Sequence, residues 1–235
     1  MHVHLKCSRH THVQPSPRVL RVAGMFGLGI DEERSIAVVP PTDLSLDGGQ
    51  IVFVTGPSGS GKSTLLHLIA KACAKADQGR VLPFDDLPPL PDRPLVDCLD
   101  AGAGDEADAS LAMVTRWLSL AGLNDAFVML RRPCELSDGQ RYRLRLAQVM
   151  SMIERASPDT PTTDTLNIIL ADEFAATLDR LTAAIVARNI RKWVSHSTVP
   201  VCFVAATTHD DLLEHLEPNV LVIKHLGEKL EVLTR

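Results

Sequence analysis

Residues 56 to 63 read Gly56-Pro57-Ser58-Gly59-Ser60-Gly61-Lys62-Ser63, after the apolar run Ile51-Val52-Phe53-Val54 and before a stretch of helical character from Ser63 to Lys75. The pattern is G-x-x-x-x-G-K-[ST] between a strand and a helix, and that context gives it meaning. Glycines let the backbone wrap a phosphate chain with its N–H groups. The helix start beyond adds partial positive charge. Lys62 can reach β- and γ-phosphates, and the Ser63 hydroxyl can ligate Mg2+. The candidate nucleotide-binding residues of this loop are Gly56, Pro57, Ser58, Gly59, Ser60, Gly61, Lys62, Ser63 and Thr64.

Outward from the loop, apolar runs at Arg18–Ala23, Ser35–Val39 and Thr42–Leu46 read as early strands. Asp47-Gly48-Gly49 is a turn signal before the loop's own strand. Gly79–Leu82 reads as a short strand, and residues 83 to 94 as a stiff, proline-rich loop. Helices are expected over Leu111–Ala121, Asp125–Leu130, Asp138–Arg155, Arg180–Ser195 and His209–Leu216. Leu166–Ala171, Val199–Ala205, Val220–Ile223 and Lys229–Leu233 read as strands, the first so continuously apolar that it suits a buried parallel sheet. The alternation implies an α/β fold with a mostly parallel sheet and an early antiparallel patch.

The chain has 235 residues, 45% of them hydrophobic, enough for one α/β domain with a small insertion. A net charge of −5 and an aromatic content of 4% argue against a basic or base-stacking nucleic-acid surface. No run approaches the roughly eighteen apolar residues of a membrane span. The first residues lack a signal-peptide core. The expected location is cytoplasmic, and five scattered cysteines suggest no disulfide framework.

Four further segments carry chemistry. Asn167-Ile168-Ile169-Leu170-Ala171-Asp172-Glu173 delivers two carboxylates at the end of an apolar strand. Asp172 suits Mg2+, and Glu173 suits a general base for the attacking water. Leu136-Ser137-Asp138-Gly139-Gln140 opens a long helix; alone it reads as a helix cap or as an anion site. Ala176-Thr177-Leu178-Asp179 alone reads as a capped turn, and Thr207-Thr208-His209-Asp210 places a histidine at the sheet edge.

Together and in this order, the five pieces resemble the ABC-type ATPases over residues 50 to 212. Gly56–Ser63 resembles the Walker A motif, Leu136–Gln140 the LSGGQ signature, and Leu170–Glu173 the Walker B strand with its glutamate. Ala176–Asp179 resembles the D-loop and His209 the switch histidine. The resemblance implies a P-loop NTPase with an ABC-type core and a small helical signature subdomain at about 95–155, within a domain of 17–235. It also implies Mg-dependent ATP hydrolysis at composite sites in a head-to-tail homodimer. Each ATP would lie on one copy's Walker A and under the other's Ser137, Gly139 and Gln140, with Glu173, His209 and Lys62 catalytic and Asp179 at the interface.

The sequence departs from the family pattern at several places. Asp138 stands where the signature has glycine, and capping the helix is its expected role. Phe174 stands where proline is usual. No glutamine occurs between Arg80 and Glu135, so Asp85, Asp86 or Asp92 is left as the Q-loop stand-in. Phe26 is the candidate aromatic for stacking on adenine or for filling the core. The missing glutamine and the proline-rich loop favour a nucleotide-driven switch acting on a soluble partner, still to be identified, over the alternative, the ATP-binding subunit of a membrane transporter. Arg131-Arg132-Pro133 and Ala171–Phe174 also resemble a soluble branch linked to GNAT-type acetyltransferases. His2, His4, Cys7, His10 and His12 have zinc-ligand chemistry without a strong zinc spacing, within a histidine-rich start, 1–16, expected to be flexible.

Overall fold

The computed structural model describes residues 1–11, 14–29, 34–76, 79–99, 107–155 and 165–235. The chain runs β1 (His2–Thr11), α1 (Pro17–Met25), β2 (Arg34–Ser45), β3 (Ile51–Thr55), α2 (Lys62–Ala76) and β4 (Gly79–Pro83). It continues through α3 (Leu95–Cys98), α4 (Ala107–Leu120), α5 (Ala126–Met129) and α6 (Asp138–Glu154). The last part is β5 (Leu166–Ala171), α7 (Arg180–His196), β6 (Val201–Ala206), α8 (Leu213–Leu216), β7 (Val220–Lys224) and β8 (Leu230–Thr234).

Six strands form one sheet in the order β4-β5-β6-β3-β7-β8, parallel except where β8 turns back antiparallel on β7. A second sheet pairs β1 with β2 antiparallel. The fold is therefore α/β, mostly parallel with an antiparallel patch, as the alternating pattern predicts.

The central strands are buried on both faces, and their period of two sorts side chains between two cores. Ile51 and Phe53 of β3, Ile169 of β5 and Phe203 of β6 face the core shared with the helices α3–α7. Val52 and Val54, Ile168 and Val204 face the other core, closed by Leu65, Leu66 and Ile69 of α2 and by Val3, Leu5 and Val39 of the two-stranded sheet. In the helical layer Glu154, at the end of α6, accepts hydrogen bonds at 2.7 Å from Trp117 of α4 and Trp193 of α7, and from Arg116 at 2.7 Å. This carboxylate ties α4, α6 and α7 together.

Three local expectations are corrected. Residues 2–11 of the histidine-rich start, expected to be flexible, form strand β1, with Val3 and Leu5 buried between exposed His2 and His4. Arg18–Ala23, read as a strand, lies in helix α1, where the Ser16 hydroxyl accepts from the Val19 N–H and Pro17 takes the first turn. Those two residues are a helix-start signal that outweighs the β-branched valines. His209–Leu216, read as one helix, splits into a 3-10 turn at Asp210–Leu212 and the single-turn α8.

Candidate functional site

The loop after β3 emerges at the middle of the sheet, between β6 and β7. Its first glycine has no alternative: Gly56 holds φ +144°, and a Cβ there would sit 2.0 Å from the Lys224 carbonyl oxygen. Gly61, at φ +105°, would put a Cβ 2.8 Å from Val38 of β2. The loop is thus pressed between β7 and the two-stranded sheet, and Lys62 is the first residue of α2. The Lys62 ammonium donates to the carbonyls of Gly56 at 2.8 Å and Pro57 at 3.0 Å, across the mouth of the loop. Burial pulls its pKa below the usual lysine value, and the carboxylates of Asp172 and Glu173 oppose that shift.

Ser58, Gly59, Gly61, Lys62, Ser63 and Thr64 line one cleft of about 520 Å3. Asp172 and Glu173 line the same cleft, together with Ala176, Thr207 and Thr208. The acid pair follows β5, which lies one strand beyond β6, so the C-terminal ends of these parallel strands bring it to the same side of the sheet as the loop. Glu173 itself sits at φ 47°, in the left-handed region, with its N–H donating to the Asp172 carboxylate at 3.0 Å. Such a conformation is costly for a residue with a side chain and concentrates at sites where direction matters. Phe174, in the place of the expected proline, is fully buried edge-on to Phe203 at 5.5 Å. Its N–H bonds Ala206 at 2.8 Å, which anchors the turn that aims Glu173.

The signature segment lies on α6. Ser137 caps that helix: its hydroxyl accepts from the Gln140 N–H at 3.3 Å, and the Gln140 side chain accepts from the Ser137 N–H at 3.0 Å. Asp138 does not take the capping role expected of it, since Ser137 fills the cap; it lies in the first turn, exposed, and pairs with Arg141. Gly139 packs on the D-loop, where a Cβ would stand 3.4 Å from the Thr177 carbonyl. Tyr142 extends the link, accepting the Ala175 N–H at 2.9 Å beside Phe84. Asp179 caps α7 by accepting from Thr182 at 3.0 Å, and this bond lowers its carboxyl pKa.

Loop and acid pair meet in one cleft, but Ser137, Gly139, Gln140 and Asp179 do not line it, and neither does His209. Gly56, Pro57 and Ser60 do not line it either: Pro57 is exposed, and Ser60 has its hydroxyl buried and unpartnered. Phe26 is 73% exposed and lines no part of the cleft, so it fills no core. Two lining residues escaped the sequence reading: Arg9 of β1 and Val38 of β2, contributed by the small sheet. Neither belongs to a motif, and only the return of β1 and β2 over the loop places them.

Of the three aspartates in the region without glutamine, Asp85 lies within the electrostatic reach of the acid pair. Burial raises its carboxyl pKa, Arg145 opposes the rise, and Asp172 and Glu173 add to it. Asp92 is engaged instead by Arg132 at 3.3 Å. Among the described residues no group of three or more His, Cys, Asp or Glu side chains gathers to hold a metal ion, and His4 is paired with Asp43 at 2.8 Å; His12 lies outside the described residues. No helix among them is long and apolar enough to cross a membrane.

Comparison with known proteins bears on this geometry. A family model described as ABC transporter matches residues 39–88. The aliphatic sulfonates import ATP-binding protein SsuB of Burkholderia pseudomallei is 31% identical over 180 residues, covering 71% of this chain and 47% of that protein. The sulfate/thiosulfate import ATP-binding protein CysA of Synechococcus elongatus is 26% identical, covering 88% of this chain and 60% of that protein. The Fe(3+) ions import ATP-binding protein FbpC of Mesorhizobium japonicum is 31% identical over 51% of this chain and 39% of its own length. The chain therefore spans between 39% and 60% of the length of these relatives. In fold it is similar to a dimeric bacterial ABC transporter cassette, with a TM-score of 0.60 at 18% identity over 98% of both chains. The resemblance to an acetyltransferase-linked branch gains no support from these relatives.

Proposed function

The chain belongs to the ABC-type ATPases, and from that premise we propose that it is the ATP-binding subunit of a membrane importer, hydrolysing Mg-ATP between two head-to-tail copies. The observation that carries the ATPase reading is the convergence of Lys62, Ser63, Asp172 and Glu173 on one cleft above a glycine-shaped loop. The importer reading rests on relatives named for import of sulfate, sulfonates and iron.

In this proposal the loop N–H groups and the start of α2 bind the phosphate chain, and Lys62 turns from its own loop carbonyls to the β- and γ-phosphates. Ser63 and Asp172 are hard oxygen donors lining one cleft, a set that fits Mg2+ completed by phosphate oxygens and water. The ion, when bound, offsets charge on the phosphates. Glu173 orients and polarises the attacking water, and its fixed turn sets the direction. Ser137 and the Gly139 N–H of a second copy close over the γ-phosphate. His209 reaches that phosphate only in the closed dimer.

One observation favours the second reading, a switch on a soluble partner. The segment after β4 carries Asp85, not glutamine, within the electrostatic reach of the acid pair, and a proline-rich run follows it. Purification from its source with cross-linking separates the two: an importer subunit brings polytopic membrane proteins, a switch brings soluble ones. Hydrolysis is tested with Glu173→Gln. The variant should keep ATP affinity and lose about 10²–10⁴-fold in phosphate release. Equal release by wild type and variant would remove Glu173 from its proposed role.

A further inference from the structure

Beneath the phosphate loop lies a lysine that no motif accounts for. Lys224 ends β7, the strand parallel to β3, and is completely buried. Its carbonyl presses on Gly56 at the start of the loop, and its side chain runs under the loop until Cε lies 3.9 Å from where a Gly61 Cβ would stand. The ammonium donates to the carbonyls of His225 at 2.7 Å and Gly227 at 2.6 Å, in the turn to β8. Among the described residues no carboxylate pairs with it. The nearby Glu231 is engaged by Lys229 at 2.6 Å and His225 at 3.1 Å.

A buried ammonium with no counter-ion among the described residues is expensive, and two carbonyl dipoles take two of its three protons without neutralising its charge. Burial accordingly pulls its pKa below the usual lysine value. A methionine or leucine would fill the same space at no electrostatic cost. What distinguishes this place from the rest of the core is the loop above it, which wraps the phosphate chain of the proposed nucleotide. Direct contact is not needed, because charge interactions across a poorly screened interior act over several ångströms.

Resting on the ATP-binding reading, we propose that Lys224 is a positioning residue of the nucleotide site: a fixed cation under the loop whose counter-charge is the bound phosphate chain. Lys62 supplies a mobile ammonium from inside the loop, and Lys224 supplies an immobile one from below. It also holds the β7–β8 turn against the loop by its two carbonyl bonds.

The test is binding of Mg-ATP, Mg-ADP and AMP to wild type, Lys224→Gln and Lys224→Arg at low ionic strength. Glutamine keeps a donor for the carbonyls and removes the charge; arginine keeps the charge. The expected result is a graded loss in Lys224→Gln, about tenfold for ATP, less for ADP and none for AMP, with ATP affinity restored in Lys224→Arg. Unchanged ATP affinity in Lys224→Gln overturns the proposal. An equal loss for all three nucleotides also overturns it, because it marks a merely structural role. A wild-type chain that binds no ATP overturns the ATPase reading itself, a distinguishable outcome. If Lys224→Gln fails to fold, the same question is put to wild type by ¹⁵N-lysine NMR, the signal being assigned by its loss in Lys224→Arg. The Lys224 ammonium resonance should move with Mg-ATP, less with Mg-ADP and not with AMP, and no movement with Mg-ATP overturns the proposal.

Discussion

The phosphate-loop side and the signature side of this chain are built to opposite plans. On the loop side, residues of the loop after β3, of α2 and of the turn after β5 gather around one cleft, with Lys62 bonded to its own loop and Glu173 held at φ 47°. On the signature side, Ser137 and Gln140 satisfy each other at the mouth of α6, and Asp138 is neutralised by Arg141 in solvent. The first region is shaped for something that fits inside the chain. The second is complete as a helix cap and faces out of the cleft. In the proposed head-to-tail dimer the two regions meet across an interface with another copy.

That contrast can be broken region by region. The largest effect is expected from Lys62→Ala, which removes the one ammonium lining the cleft among the described residues. ATP affinity should fall about 100-fold by calorimetry, the scale of losing charge-assisted bonds to phosphate. A loss under threefold would mean that the loop backbone binds alone. Gly56→Ala comes next, since a Cβ would meet the Lys224 carbonyl at 2.0 Å in a left-handed conformation. It should cost more than about 1 kcal/mol of stability in denaturant unfolding and lower ATP affinity with it. An unchanged midpoint would show that the loop has room to shift. The smallest effect belongs to the signature side: Ser137→Ala breaks the capping box and should cost about 1 kcal/mol, while ATP binding to the isolated chain stays at wild-type affinity. Weakened binding by the monomer would place Ser137 in the chain's own cleft.

The two sides also differ in how far they could be read from sequence. Gly56–Thr64 was legible because the glycine and lysine spacing stands between an apolar strand and a helix, the context that gives the pattern its meaning. β5 was legible because six successive apolar residues ending in two acids admit few other structures. The helix from Asp138 was legible too, and its cap was one of the two alternatives the residues left open. The family resemblance fitted the fold, and the curated relatives lean to import where the missing glutamine leaned to a soluble partner. α1 was misread because Val19, Leu20 and Val22 mimic a strand, although Ser16-Pro17 announces a helix. Arg9, Val38 and Lys224 were beyond reach, since each acquires its place from a strand distant in sequence that folds over or under the loop. The burial of Lys224 in particular contradicts what a lysine at the end of an apolar run normally signals.

The most direct test of the composite site is to mix two variants that are each inactive alone, Lys62→Ala and Ser137→Arg, and to measure ATP hydrolysis. A mixed head-to-tail dimer has one site with an intact loop from the Ser137→Arg copy and an intact signature from the Lys62→Ala copy, and one site damaged on both sides. The account predicts activity in the mixture well above the sum of the two variants, rising with total protein concentration. Activity no greater than that sum, at concentrations where wild type dimerises with ATP, would contradict it.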